Sequence, residues 1–288
     1  MINADGTMGA FDTTPLKSDQ AVLSTDATYF PDTTTPVDPR LDWTAGRRGI
    51  PFLDYGIMPG ASWARAQGDA GPFINMKNVY RQSEAAVQSQ SYGGWAPGQA
   101  SAMNFNMIRF SDVLLWAAEC EVEVGSPAQA ETYVNMVRNR MALHPENWVK
   151  GRLTGYTAGD AGKPIVDNAQ NAANYVIQPY SGQITNGTKE FARQAVWFER
   201  RLELSMGGQR FFDLQRYDGL YGGPEPAGYM AAVINAYIAK SVSYPQAFFA
   251  NTVLQGATFT QGRNEIYPLP TPEISAEHGA LKQNPNYP

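Results

Sequence analysis

Three acids and four arginines fall within the nineteen residues from Glu199 to Tyr217: Glu199, Glu203 and Asp213 beside Arg200, Arg201, Arg210 and Arg216. Most of their neighbours are apolar or aromatic, as in Arg210-Phe211-Phe212-Asp213-Leu214. Two chemistries suit such a constellation. A pair of carboxylates about 5–10 Å apart can hydrolyse a glycosidic bond, which makes the three acids the candidates for that reaction. Guanidinium forks closed on carboxylates give instead an ion network that survives burial and fixes how helices dock. Arginine neighbours hold a carboxylate ionised, which suits a clamp and spoils a general acid. We therefore assign Glu199, Arg200, Arg201, Glu203, Arg210, Asp213 and Arg216 to a structural ion network. Arg200 or Arg201 is expected on Asp213 or Glu203, and no catalytic residue is predicted.

Other chemistries lack their residues. Two histidines, His144 and His278, and one cysteine, Cys120, make no zinc cluster, so neither a metal nor a cofactor is expected. No Gly-x-Ser-x-Gly elbow and no phosphate-cradling glycine loop occurs. A net charge of −5 without a basic stripe argues against nucleic acid as a partner. Cys120 lies between Ala118 and Val122 in helical sequence and reads as a buried, inert thiol. The longest apolar run, Val113 to Ala118, is too short to span a bilayer. The opening residues Met1-Ile2-Asn3-Ala4-Asp5-Gly6 show no signal peptide and no nearby cysteine for a lipid anchor.

The elements that must position these side chains are mostly helical. Residues 1–105 carry constant turn signals, such as Thr33-Thr34-Thr35-Pro36, yet aromatics recur through them, which predicts ordered loops rather than a disordered tail. Residues 106–288 read as helices joined by loops. Residues 110–124 are apolar around most of the wheel and predict a helix buried on several sides, with Trp116 in the core. Gly125 stops it, and Ser126-Pro127 caps the next helix, whose stripe is Ala130, Tyr133, Val134, Val137 and Met141. Ala118 and Ala130 stand where the small residues of a tetratricopeptide hairpin cross. Residues 143–187 return to loop chemistry. Thr188 then caps a third helix with inward residues Phe191, Ala195, Phe198, Leu202 and Met206, ended by Gly207-Gly208. A fourth helix spans about Ala227 to Lys240, with Met230, Val233, Ile234, Tyr237 and Ile238 on one face. Strand signals are few. The fold class is mainly α, a tetratricopeptide-like hairpin scaffold with long ordered loops, in one region covering 1–288.

Three segments in order carry a resemblance. Arg109 to Glu119 continues into Gly125 and Val134-Asn135-Met136-Val137-Arg138-Asn139-Arg140; Glu199 to Tyr217 follows; Asn264-Glu-Ile-Tyr-Pro-Leu-Pro-Thr-Pro-Glu-Ile274 leads to Gln283-Asn284-Pro285-Asn286-Tyr287. With Asp38 to Trp43 and Gly46 to Pro51, the chain resembles the C-terminal half of SusD/RagB proteins, nutrient-binding lipoproteins of the Bacteroidetes outer membrane. Gly207 departs from the family pattern, where an acid commonly precedes the Gly-x-Arg turn. A complete member is longer and begins with a lipoprotein signal and further helical hairpins, so the resemblance implies an incomplete α superhelix without its N-terminal repeats.

The resemblance also implies a cell-surface address and capture of a glycan or peptide for polysaccharide utilization. The ligand would pass to a TonB-dependent, SusC-like transporter without catalysis. A helical glycoside hydrolase and a tetratricopeptide protein-binding scaffold are the alternatives. Sugar recognition needs flat aromatic faces with amides and charged groups for hydroxyls. Trp43, Tyr55, Trp63, Tyr92 and Trp95, with Arg47, Asp69 and Asn75 nearby, lie in loop sequence and are the candidate ligand-binding residues, although each aromatic also suits a role in pinning its loop to the scaffold. Trp197 is expected in the core.

Overall fold

Ser126 and Thr188 set two of the three helices on which the first unit is built. The computed structural model describes residues 25–64, 73–90, 100–243 and 254–288. Helix α1 is Phe110–Val124, α2 is Pro127–Ala142 and α3 is Lys189–Glu203. The Ser126 hydroxyl accepts from the Gln129 amide with Pro127 in the first turn, and the Thr188 hydroxyl accepts from the Phe191 amide at 3.1 Å. Each cap satisfies an amide that the helix itself leaves open. Gly125 separates α1 from α2, and the Glu121 carboxylate packs against it where a Cβ would stand and accepts from the Ser126 amide.

The three helices share one core: Leu115, Ala118 and Val122 from α1, Ala130, Val134 and Val137 from α2, and Ala192, Ala195 and Val196 from α3, closed by Tyr180 and Ile184. Ala118 and Ala130 are fully buried, as a close crossing requires. Glu131 fixes the loop before α3, accepting from the amides of Gly182, Ile184 and Thr185.

Helix α1 departs from expectation. Its buried residues are Asp112, Leu115, Ala118 and Val122, a single stripe, while Phe110, Val113 and Val124 are exposed. Trp116 is 38% exposed and Cys120 is exposed, so neither is the core residue predicted. An apolar wheel marks where burial is possible, and α2 and α3 cover only one side of this one. The segment read as loop contains a hairpin of β1, Lys150–Tyr156, and β2, Pro164–Asn171, antiparallel with Lys150 opposite Asn171 and Tyr156 opposite Pro164. Beside it Val37, Ile50, Val149, Ala172, Ala173 and Tyr175 form a second core cluster, against which Trp43 packs. A third, smaller cluster joins Phe52, Met58 and Met76. Gly46 admits it, because a Cβ there would stand 2.7 Å from the Phe52 ring.

The chain divides after Gly207 into two compact units. Helix α3 ends at Glu203 with Leu204 as its cap, earlier than expected, and Met206 is 41% exposed in a left-handed conformation (φ 58°) rather than on the inward stripe. The second unit holds α4, Arg210–Tyr217, α5, Tyr229–Ser243, and α6, Thr271–Ala276. Helix α5 begins two residues later and ends three later than predicted, and Met230 is its buried anchor while Tyr237 is exposed. Asp218 joins α4 to α5, accepting from the amides of Leu220, Gly228 and Met230. The closing segment is fastened by side-chain amides and a phenol: Gln283 on Leu269, Asn284 on Tyr267 and Tyr287 on Ile266. Among the described residues no helix is long and apolar enough to cross a membrane.

Candidate functional site

Glu199 and Glu203 lie one turn apart on α3, both almost fully buried, and face arginines from distant segments. Arg40, in a short 3-10 helix at Pro39–Trp43, closes its fork on Asp38 at 2.9 and 2.8 Å. Its Nη1 donates to Glu199 Oε1 at 2.6 Å and to Glu203 Oε2 at 3.1 Å. Arg138 of α2 takes the other Glu199 oxygen at 2.7 Å and stands over the Tyr180 ring. Arg140 and Arg109 add contacts to Glu203. Burial pushes the Glu203 carboxyl up, but Arg40, Arg140 and Arg109 outweigh it and hold the carboxyl below its ordinary range. For Arg40 burial works against the charge, while Glu199 and Asp38 prevail and keep the guanidinium protonated.

Arg200, next on α3, is also buried, and the acids it rests on belong to α1: Asp112 at 2.7 Å and Glu119 at 3.4 Å, with Trp116 5.5 Å from the guanidinium. Asp213 meets Arg216 at 2.9 Å, three residues on along α4. Arg201 is exposed at the surface of α3, and Arg210 opens α4 in the second unit. The assigned acids and arginines therefore contribute to several local clusters. The partners Arg40, Arg138, Arg140, Arg109, Asp112 and Glu119 fall outside the assigned set. The sequence hint to them was that all six sit in the segments that carry the family resemblance, Asp38 to Trp43, Arg109 to Glu119 and Val134 to Arg140.

The aromatic candidates divide by what their polar ends do. Trp43 donates its ring N–H to the Asn147 carbonyl at 2.9 Å while its ring packs on the second core cluster. Arg47 closes a fork on Asp42 at 2.6 and 2.8 Å, and Tyr175 donates to the same carboxylate at 2.7 Å. Tyr55 donates to the Tyr80 carbonyl at 3.1 Å and meets Phe52 edge-on. Asn75 donates to the Met206 carbonyl. Trp63 is different: it stands edge-on to Phe52 at 6.0 Å and 89°, and 43% of it is exposed. Asp54, in the same loop, accepts from the amides of Gln82 and Ser83, which draw its carboxyl down to about 2. Asp69, Tyr92 and Trp95 lie outside the described residues. No cluster of three or more His, Cys, Asp or Glu side chains fit to hold a metal occurs among the described residues.

A solved structure described as a SusD homologue, from Bacteroides thetaiotaomicron, matches with a TM-score of 0.51 at 19% identity. The match covers 87% of this chain and 41% of that one, so this chain spans about two fifths of that relative's length. At that identity the likeness speaks for the fold. No curated protein matches the chain. The model of the SusD family matches residues 5–287, nearly end to end, and the chain belongs to the SusD family.

Proposed function

We propose that the chain binds a glycan nutrient at the cell surface and delivers it, unaltered, to a TonB-dependent transporter in the outer membrane. Family membership supports the class of function. The observation that carries the ligand class is Trp63, whose ring meets Phe52 edge-on while much of it stays exposed. An indole fixed in this way offers the apolar face of a pyranose a surface at little cost in side-chain entropy. Trp43, Arg47 and Tyr55 support the loop through their own internal bonds, and Asp69, Tyr92 and Trp95 remain the further candidates for contact.

A non-catalytic role fits the acids. Both oxygens of Glu199 are taken by arginines, and Glu203 is held ionised by Arg40, Arg140 and Arg109. A general acid must carry a proton at working pH, and these surroundings oppose it. Stacking on one or two rings supplies modest energy, so affinity should lie roughly between micromolar and millimolar.

Calorimetry with a glycan panel, with product analysis on the same samples, tests the proposal. Binding without cleavage, lost in Trp63→Ala at a melting temperature lowered by no more than about 4 °C, is the expected result. Cleavage products that disappear in Glu199→Gln would sink it in favour of a hydrolase.

A further inference from the structure

Helix α3 ends among more cations than its acids require. Arg140, from the last turn of α2, places Nη2 on both Glu203 carboxylate oxygens at 2.8 and 2.9 Å. Arg109, just before α1, places Nη2 on the Glu203 backbone carbonyl at 2.8 Å and on Oε1 at 3.2 Å. Lys77 donates to the same carbonyl at 2.8 Å. Arg109 thus meets Arg140 over one carboxylate oxygen and Lys77 over one carbonyl. Three side chains from three separate segments converge on one point.

The charges do not balance there. Among the described residues, Arg40, Arg138, Arg109, Arg140 and Lys77 face Asp38, Glu199 and Glu203, five positive groups against three negative ones. The C-terminal dipole of α3 offsets about half a charge, well short of the excess. The buried arginines, Arg40 and Arg138, are matched by Asp38 and Glu199. The excess sits where solvent reaches: the Arg140 side chain is 52% exposed, that of Arg109 32%, and Lys77 is half-buried. Among the described residues each of these arginines uses one nitrogen, on Glu203, and the rest of its fork can meet another acceptor. Burial first, then the Arg109 charge, lowers the Lys77 ammonium to about 8, with Arg40 and Arg140 adding to the repulsion and Glu203 opposing it. An arriving anion would relieve that repulsion.

We propose that Lys77, Arg109 and Arg140 form a subsite for an anionic substituent, a carboxylate or sulfate ester, on a sugar. This rests on the glycan-binding reading above. Uncharged saccharides would gain less from these three residues, since their hydroxyls lack the charge that strengthens each bond, so the chain would prefer acidic glycans.

The test is calorimetry on the whole chain with a galacturonic-acid oligosaccharide, its sulfated neutral counterpart and an unmodified galactose oligosaccharide of equal length. The first two distinguish carboxylate from sulfate ester. At least one should bind about tenfold or more tightly than the unmodified oligosaccharide at low salt. That preference should shrink with added salt, weaken as pH passes about 8, and close in the double variant Arg109→Gln/Arg140→Gln. Equal affinity for acidic and unmodified oligosaccharides in the wild type overturns the proposal without any variant. So does a preference that survives the double variant. Inorganic sulfate or a tri-glutamate peptide binding as tightly as the acidic sugars would overturn the assignment to a sugar. Binding of the unmodified oligosaccharide reports on the Trp63 reading separately: its absence, with acidic binding intact, sinks that reading and leaves this one.

Discussion

Glu199 in the first unit and Asp218 in the second are both fully buried carboxylates, and they are satisfied in opposite ways. Glu199 is bound by the guanidinium groups of Arg40 and Arg138, which come from 159 and 61 residues away. Asp218 is bound by three backbone amides, the farthest twelve residues on. The first arrangement ties distant elements together and leaves charges that need one another; the second shapes one connection and leaves only neutral amides behind. A buried carboxylate therefore says little about a site until its partners are known.

The largest expected effect breaks the charged side of this comparison. Glu199→Ala leaves Arg40 and Arg138 buried without their shared acid, and should cost about 3–5 kcal/mol in urea denaturation. A loss below about 1 kcal/mol would mean that Asp38 and Glu203 suffice. Asp218→Ala strands amides instead of charges and should cost less, about 1–3 kcal/mol by the same measurement. If the two costs are equal, the contrast between guanidinium and amide partners fails.

Lys77 sharpens the contrast through pH. Its ammonium is held at about 8 in the fold against an ordinary value of 10.5. The unfolded chain therefore binds the extra proton between those values, so stability should rise with pH from about 8 to 10.5, and the full penalty should be present below 8. The shift bounds the effect at about 3 kcal/mol, and partial exposure brings it nearer 1. Other groups ionise in the same range, so the reading is the difference between wild type and Lys77→Met; identical pH curves would refute it. The smallest effect on stability belongs to Trp63→Ala, about 1 kcal/mol or less from its edge contact with Phe52. A thermal melt shifted much more than this would make Trp63 a core residue rather than a ligand platform.

The hairpin of α1 and α2 was legible because its determinants are local. Gly125, Ser126 and Pro127 mark the turn within three residues, and Ala118 and Ala130 announce the close crossing. The strands β1 and β2 were hidden by Gly151, Gly155 and the polar run Asp167 to Asn171, which mask alternation; Gly151 and Leu153 are the buried positions of β1. The ion network was legible in its acids and obscure in its partners. Arg200 rests on Asp112 and Glu119 of α1, and Glu203 draws Arg40, Arg109 and Arg140, partners that the sequence reading did not name. No local pattern encodes a partner more than sixty residues away. The exposure of Trp116 and Cys120 was equally unreadable, because a wheel of apolar residues does not say how many neighbours will cover it.

Arg40 has one acid two residues away and another 159 residues away, and that asymmetry matters as the chain is made. At roughly 5–20 residues per second, about eight to thirty seconds of synthesis separate Arg40 from Glu199. Asp38 leaves the ribosome almost together with Arg40, but in water a pair so exposed holds little. The fork gains its full hold only once the chain has grown to Glu199 and the fold has shut solvent out.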